Sequence, residues 1–271
     1  MWGSSILAAA TILFSSAVSG QWVNYPTPGV PLTPSGVPNL GAPPPKTADG
    51  KTDLSGIWQA DNTRAVRPCP AASCQENLVA LQYSNIGAGL PGGLPFQPWA
   101  AELVKQRQAH FGKDDPETHC LPQGVPQIHT APNFKKFVQL PGLVLILTEF
   151  NAGYRQIFTD GRPLPVDPQP SWNGYSVGQW DGDTFVVETN GLRDGIWMDH
   201  AGSPLTEAAR ITERFRRVNY GNMEIEVTVN DPKAYTRPWT AKVQQFLAIN
   251  TDLIDYICLE NEKDVNHMVG R

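Results

Sequence analysis

The clearest structural signal in the chain is residues 172–189, which read WNGYSVGQWDGDTFVVET. Two runs that alternate in polarity meet at the Asp181-Gly182 pair, and such a pair tolerates the positive φ that a tight hairpin turn requires. After the turn, Phe185, Val187 and Thr189 point to one side, because side chains alternate between the two faces of a strand. The stretch therefore predicts an antiparallel β-hairpin.

Similar signals recur along the chain at short spacing. Further strands are predicted at residues 53–59, 134–140, 143–150, 154–159, 209–218, 223–230, 239–247 and 253–258. Pro141-Gly142 joins two of these strands as a turn. About nine short strands that are mostly linked by hairpins indicate an all-β, mainly antiparallel fold. We expect a meander that closes into a lipocalin-like β-barrel or folds as a sandwich, and the polar groups on otherwise apolar faces favour the barrel.

Helix and loop signals complete the predicted fold. Residues 99–111 form the best helix candidate, with a narrow apolar stripe that would lie across the body. Residues 61–98 are rich in glycine and proline, which predicts a long irregular insertion.

The N-terminal region differs in composition from the rest. Residues 1–20 carry no charged side chain and end in small residues, which predicts a signal peptide and a secreted or periplasmic protein. Residues 21–51 are crowded with proline and glycine and are interpreted as a mobile leader, a spacer that keeps the folded body away from the membrane or the cell surface. The alternative is an interaction tail. Residues 52–271 are long enough for a single β-rich domain.

Charge and hydropathy exclude several function classes. The net charge of -5 is modest and is not concentrated in a basic face, so nucleic acid is not an expected partner. No segment after the signal peptide is long and apolar enough for a membrane span. The sequence contains no phosphate loop, dinucleotide fingerprint or His-rich metal signature, so we predict no cofactor and no metal.

The four cysteines predict disulfides in an exported chain. The simplest pairing joins Cys69 to Cys74 and Cys120 to Cys258. The second bridge would close a long loop and stabilise the fold by about 4–5 kcal/mol on the chain-entropy estimate. A metal site is the alternative, but the spacing lacks the usual Cys-x-x-Cys pairs.

Charged residues interrupt three apolar strand faces. Glu149 shares a face with leucines, Arg155 with Ile157, and Glu213 lies between Ile211 and Phe215. A charge on an apolar face is costly unless it is paired, so these three residues are expected to pair across the sheet or to line a pocket. A pocket carboxyl would suit general acid–base catalysis. The alternative is that both faces are partly solvated near the strand ends.

Two further groups are candidate ligand contacts. Asp160 and Arg162 flank a turn, where the arginine could bind a ligand or simply face solvent while the aspartate caps the backbone. Tyr235 and Trp239 could stack on a sugar or another ring, or they could fill the core.

Two histidines are candidate proton carriers. His129 and His200 lie in predicted loops and could meet one carboxylate in space, as a metal site or as an acid–base pair, although their spacing in the sequence matches no metal signature. The competing interpretation is that both are ordinary loop histidines. The Asp181–Asp183 segment lacks the remaining ligands of a calcium loop, and the hairpin explains it.

The motifs together resemble a group of secreted bacterial proteins of uncharacterised function that is common in soil and marine bacteria. The motifs that carry the resemblance are DLSGIW at 53–58, RQIFTDGR at 155–162, the stretch 172–189, ERFRR at 213–217, DPKAYTRPW at 231–239, CLENE at 258–262 and HMVG at 267–270. They cover most of the chain after residue 50. Many members of the group have His where this chain has Tyr175, so a site that requires imidazole at that position is not expected here.

Three function hypotheses follow. The first is a barrel that binds a small organic or carbohydrate ligand at one mouth; its expected contacts are Arg155, Asp160, Arg162, Tyr235 and Trp239. The second is an extracellular lyase or hydrolase in the same pocket. Its expected acid–base groups are Glu149, Glu213, His129 and His200, and Arg155 would stabilise an anion. The third is a structural protein of the cell surface, tethered by the leader.

Overall fold

The chain folds into a closed barrel of nine strands. The computed structural model describes residues 26–60 and 81–260. Within these ranges the strands are β1 (Gly56–Ala60), β2 (Lys135–Leu140), β3 (Leu143–Thr148), β4 (Tyr154–Phe158), β5 (Tyr175–Asp181), β6 (Thr184–Asn190), β7 (Arg210–Asn219), β8 (Asn222–Asn230) and β9 (Trp239–Ala248). Each strand pairs with its neighbour in sequence, and β1 pairs with β9 to close the barrel. The predicted all-β barrel is confirmed.

The odd number of strands imposes one exception to the antiparallel pattern. A ring of nine strands cannot alternate in direction all the way round, so at least one neighbouring pair must be parallel. That pair is β4 and β5, whereas every other pair is antiparallel. A parallel pair needs a crossover connection, and residues 159–174 provide it. The meander expected from sequence is therefore interrupted at this one place.

The hairpin of residues 172–189 forms as predicted. Asp181 pairs with Thr184, so the two residues between them make the turn, and Gly182 has a φ of 59°. This geometry places the glycine at the first central position, where positive φ is required. Phe185 and Val187 are fully buried, which confirms the face assigned to them.

Aromatic and aliphatic side chains fill much of the barrel interior. The Phe215 ring lies 5.8 Å from the Phe137 ring and 6.0 Å from the Phe185 ring, measured between centroids. All three rings are almost completely shielded from solvent. Small barrels are commonly filled by their inward side chains in this way.

Short helices lie around the barrel. They are α1 (Leu81–Ser84), α2 (Pro98–Ala109), a 3-10 helix (Pro116–His119) and α3 (Gln127–Thr130). The helix predicted at 99–111 corresponds to α2, which begins with proline because its missing N–H costs nothing in the first turn. The three shorter helices are not predicted by the sequence, since four residues carry too little periodicity to be recognised. No helix among the described residues is both long and apolar enough to cross a bilayer.

The leader is not a separate spacer over the part that the structure describes. Residues 26–53 lie against the barrel, and the backbone N–H groups of Tyr220 and Gly221 donate to the carbonyls of Ala42 and Leu40. Lys46 forms an ion pair with Asp183 at the β5–β6 turn. The described part of the leader therefore packs against the barrel at the turn between β7 and β8 and at the turn between β5 and β6.

The C-terminal segment differs from expectation. The strand predicted at 253–258 is reduced to an isolated bridge between Phe150 and Tyr256. A disulfide joins Cys120 to Cys258, with Cα atoms 5.4 Å apart, and this pairing is as predicted. The predicted Cys69–Cys74 bridge and the signal peptide at 1–20 lie outside the described residues.

Candidate functional site

A cleft opens where β4 and β5 meet. Their parallel pairing comprises two residue pairs, Ile157 with Ser176 and Phe158 with Val177. Next to this short contact lies a cleft of about 510 Å³, lined from both sides by residues 154–156 and 171–176. The cleft lies where the pairing is shortest, whereas β5 and β6, and β7 and β8, pair along nearly their whole length.

Aromatic side chains form the walls of the cleft. Its aromatic lining consists of Tyr154, Phe158, Trp172 and Tyr175. Tyr154 is 63% exposed, so its ring is available to a ligand. Phe158 and Tyr175 stack with their ring centroids 5.2 Å apart, which holds both rings in place. Four aromatic rings around one cleft provide apolar faces for a ring-shaped ligand.

A small cavity of about 60 Å³ adjoins the cleft and shares Asn173, Tyr154 and Arg155 with it. The Nδ2 amide of Asn173 donates to the backbone carbonyl of Tyr154 at 3.1 Å. Its Oδ1 atom is buried and has no hydrogen-bond partner among the described residues. Buried acceptors are normally satisfied, and the donor to this oxygen would be a water molecule in the small cavity or a hydroxyl group of a ligand.

Arg155 lies at the floor of the cleft and extends into the barrel, where it is 2% exposed. Its guanidinium forms a two-pronged ion pair with Glu213, with Nη1 donating to Oε1 at 2.9 Å. The hydroxyls of Ser176 and Thr189 accept its other hydrogens at 3.1 and 2.9 Å. Two of the three charged residues singled out in the sequence are thus paired across the barrel.

His129 completes this buried cluster. The short helix α3 holds its ring at the barrel end, and Nε2 lies 2.6 Å from Oε1 of Glu213. Burial lowers the pKa of His129, which keeps the ring neutral. A neutral ring that donates from Nε2 leaves Nδ1 as an acceptor, and Nδ1 has no partner among the described residues.

The protonation state of Glu213 follows from competing effects. Burial by itself raises the pKa of this carboxyl. The charge of Arg155 and the hydrogen bonds from Arg155 and His129 outweigh burial and lower the pKa to about 2. Glu213 is therefore an anion at neutral pH, and its main role is to compensate the arginine.

Lys135 is a second buried basic residue near the cluster, and no carboxylate of the described residues forms an ion pair with it. Its Nζ lies 3.2 Å from Oε1 of Gln245, while the amide of Gln245 donates to the carbonyl of His129 at 2.7 Å. Burial lowers the pKa of Lys135 to about 7. An ammonium group in this position loses its hydration without gaining an ion pair.

His200 belongs to a separate cluster in the loops outside the barrel. Its Nδ1 lies 2.6 Å from Oδ2 of the buried Asp115, and Nε2 lies 3.8 Å from Glu117. Burial lowers the pKa of His200, but the two carboxylates outweigh it and raise the pKa overall. Tyr83 also donates to Glu117. Within residues 26–60 and 81–260, no three His, Cys, Asp or Glu side chains are arranged to hold a metal ion.

The two clusters are connected through glutamine side chains. Gln123 and Gln127 donate to the two oxygens of Glu117 at 3.0 and 2.9 Å. Gln123 also lines the small cavity beside the cleft, and Gln127 lies on the same short helix as His129. The loop cluster therefore supports the cleft and α3 from outside.

Glu149 does not join the other two charged residues. It follows the end of β3, and its carboxylate accepts the backbone N–H of Phe134 at 3.0 Å. Burial raises its pKa, although the side chain remains partly exposed. The predicted strand face does not include it because β3 ends at Thr148, before the alternation reaches it.

Asp160 and Arg162 form an exposed pair at the rim of the cleft. Nε of Arg162 donates to Oδ1 of Asp160 at 2.9 Å, and Nη1 donates to the Tyr175 hydroxyl at 3.1 Å. The guanidinium lies 3.9 Å above the centre of the Phe158 ring. Arg162 thus braces two aromatic residues of the cleft wall.

Tyr235 and Trp239 pack in the core. They are 1% and 4% exposed, and their ring centroids lie 5.6 Å apart. The Tyr235 hydroxyl donates to the carbonyl of Pro204 at 2.9 Å. Neither ring offers a face to a ligand, so the structure corresponds to the core-filling alternative.

Sequence reasoning missed Tyr154, Trp172 and Asn173 as site residues. Trp172 and Asn173 could have been recognised, because they belong to the irregular WNGY run that precedes the regular alternation of β5. No sequence signal marked the loop cluster of Tyr83, Asp115 and Glu117, because its contacts join segments that are distant in sequence.

No family model and no curated protein matches the chain. The resemblance to secreted bacterial proteins therefore stays a prediction.

Proposed function

We propose that this barrel binds a small organic or carbohydrate ligand in the β4–β5 cleft. The supporting observation is the cleft itself, about 510 Å³ in volume and walled by four aromatic side chains. This volume lies in the usual range of small-molecule sites, roughly 300–1,000 Å³. The unpartnered oxygen of Asn173, for which the described residues supply no donor, adds a polar group that would orient a ligand.

The buried cluster has a positioning role in this proposal. Arg155 is tied to Glu213, Ser176 and Thr189, so it fixes β4, β5, β6 and β7 relative to one another at the cleft floor. Sites that keep their shape before binding lose less entropy when the ligand arrives. The ligand contacts then come from Tyr154, Trp172 and Asn173.

The acid–base alternative has less support at this cleft. Glu213 and His129 are both fully shielded from solvent, and Glu213 is already held as an anion by Arg155. A general acid or base must come within hydrogen-bond reach of the substrate. Binding is therefore the better supported function.

The proposal is tested by ligand screening on the full chain. Thermal-shift measurements with sugars, aromatic acids and other small organic molecules should reveal a ligand, because binding raises the melting temperature by mass action. Mass spectrometry of protein purified from its native source provides an independent route to the ligand.

A matched pair of variants locates the site. Replacing Tyr154 by alanine should weaken binding about fivefold, since an aromatic contact contributes about 1 kcal/mol. Replacing Phe111, an aromatic residue that is 93% exposed and does not line the cleft, should leave the affinity unchanged. Equal affinities of both variants and the unmodified protein would place the ligand elsewhere.

A further inference from the structure

We infer that the β4–β5 cleft selects a neutral ring that carries hydroxyl groups, a sugar of the pyranose class, over carboxylates and other anions. The inference rests on the proposed function and narrows its ligand class. Three features of the cleft support it: the charge balance at its floor, the charge balance at its rim, and the unpartnered acceptor between them.

The floor of the cleft presents a positive charge that is already compensated. Each nitrogen of the Arg155 guanidinium donates to a protein acceptor, and the carboxylate of Glu213 cancels its charge at hydrogen-bond distance. An arginine that recognises an anionic ligand presents its fork of donors to that ligand. Arg155 presents its fork to Glu213 instead. An anion at this floor would lose hydration without gaining a counter-ion.

The charges at the rim of the cleft are also paired within the protein. The carboxylate of Asp160 accepts hydrogen bonds from Nε and Nη2 of Arg162, and Nη1 of Arg162 donates to the Tyr175 hydroxyl. A carboxylate would have to displace Asp160, which is two residues away in the chain and therefore permanently close. Arg193 contacts the Trp172 ring but is not among the residues that line the cleft.

The unpartnered acceptor favours rings that carry hydroxyl groups over benzoate, whereas the discrimination between a sugar and its uronate comes from the paired charges at the floor and rim. Oδ1 of Asn173 is buried beside the cleft and has no donor among the described residues. A hydroxyl group can donate to this oxygen, whereas an ionised carboxylate is an acceptor only. Leaving a buried acceptor unsatisfied is costly, so a ligand with a donor is favoured over one without.

The aromatic walls suit the apolar face of a sugar ring. Tyr154 and Trp172 come from the two segments that line the cleft from opposite sides, and Tyr154 is largely exposed. Pyranose rings have C–H groups on their faces and hydroxyls at their edges. The faces can pack against the aromatic rings while the hydroxyls at the edges extend toward the small cavity that Asn173 lines.

The test uses matched pairs of small molecules on the full chain. Binding of D-glucose, D-galactose and D-mannose is compared by calorimetry with that of D-glucuronate, D-galacturonate and benzoate. We expect at least one neutral sugar to bind about tenfold or more tightly than its uronate and than benzoate. Tyr154→Ala should reduce that affinity, and Phe111→Ala should not.

Other outcomes separate the two proposals. A uronate or benzoate that binds as tightly as the sugars, and loses affinity in Tyr154→Ala, would overturn the sugar inference and leave the binding site in place. If none of these probes binds, and the broader screen also finds no ligand that depends on Tyr154, both proposals fail.

The acceptor is tested separately with Asn173→Leu, which removes the oxygen. We expect a loss of about tenfold or more in affinity for the sugar. An unchanged affinity would overturn the role of Asn173. If this variant does not fold, the matched-pair measurements on the unmodified protein still decide the ligand class.

Discussion

Glu213 is the residue on which the buried cluster depends. The Arg155 side chain is almost completely shielded from solvent, and the carboxylate of Glu213 is its counter-ion inside the barrel. Removing one partner of a buried ion pair leaves an uncompensated charge, which costs more than the pair contributes. The cluster is therefore sensitive to single substitutions even though much of the interior is apolar.

Glu213→Gln should lower the free energy of unfolding by about 3–5 kcal/mol, because it leaves Arg155 buried without a counter-ion. Glu226→Gln is a matched control on the neighbouring strand β8, where the carboxylate is partly exposed and pairs with Lys242 on β9 at 3.5 Å. Its expected loss is below about 1 kcal/mol. Urea unfolding measures both, and equal losses would contradict the assigned role.

The same pair predicts an acid dependence. The pKa of Glu213 is about 2 in the folded protein and 4.5 as the ordinary value, so its stabilising contribution is complete above pH 4.5. It is lost progressively as the pH falls to about 2. The stability difference between the unmodified protein and Glu213→Gln should shrink over this window, and a difference independent of pH would refute the ion-pair explanation.

Lys135 predicts a dependence at higher pH. Its pKa is about 7 when folded and 10.5 as the ordinary value, so the unfolded chain binds more protons between these limits. The contribution of Lys135 to stability should therefore rise as the pH increases from about 7 to 10.5. The difference in unfolding free energy between the unmodified protein and Lys135→Met should shift in favour of the lysine across this range. If the unfolding free energies of the two proteins change in parallel with pH, the explanation that Lys135 is a buried amine without a counter-ion is contradicted.

At the scale of elements, β4, β5 and β6 pack closely against one another at Gly178. Gly178 on β5 leaves room for Phe185, and a Cβ at Gly178 would lie 2.4 Å from the Phe185 ring and 3.0 Å from Ile157. The ring occupies the space that a side chain would take. Gly178 has no positive φ, so the close packing between these three strands depends on its missing side chain and not on its backbone conformation.

Gly178→Ala should destabilise the protein by about 1–3 kcal/mol, because Phe185 must move within a packed core. Gly41→Ala is the matched control, since its nearest contact would be Asn39 Oδ1 at 3.6 Å and its φ is not positive. We expect that control to be neutral or slightly stabilising. Thermal unfolding compares the two, and a neutral Gly178→Ala would mean that Phe185 has room to shift.

At the scale of the whole molecule, the Cys120–Cys258 disulfide joins residues 138 positions apart in the sequence. Asn151 of the cleft connects to both half-cystines: it donates to the carbonyl of Cys120 at 2.8 Å and accepts the backbone N–H of Cys258 at 3.0 Å. The crosslink therefore holds the C-terminal segment against the cleft wall.

Replacing both cysteines by serine should lower the free energy of unfolding by about 4–5 kcal/mol on the chain-entropy estimate, because a long loop is released in the unfolded state. Chemical unfolding measures this loss. A ligand identified in the screen should also bind less tightly to the double variant, since Asn151 loses two fixed neighbours. Unchanged stability would show that the crosslink adds nothing to the packed barrel.

The local features of the fold were predictable from the sequence. Alternation with a period of two identified the strands of the barrel, and Asp181-Gly182 located the central hairpin, because both depend on neighbours within a few residues. The prediction of a strand at 253–258 was wrong, since this segment makes only an isolated bridge between Tyr256 and Phe150. Glu213 and Arg155 were recognisable as charges on apolar faces, although Glu149 was grouped with them incorrectly.

The site depended on tertiary structure. The parallel β4–β5 contact follows from closing an odd number of strands, and no local pattern contains that count. His129 reaches Glu213 across 84 positions, and Asp115 reaches His200 across 85. The sequence by itself determined the strands and the charges that needed partners. Only the closed barrel decided which partners they met and where the cleft opened, because those contacts arise from chain closure over long distances.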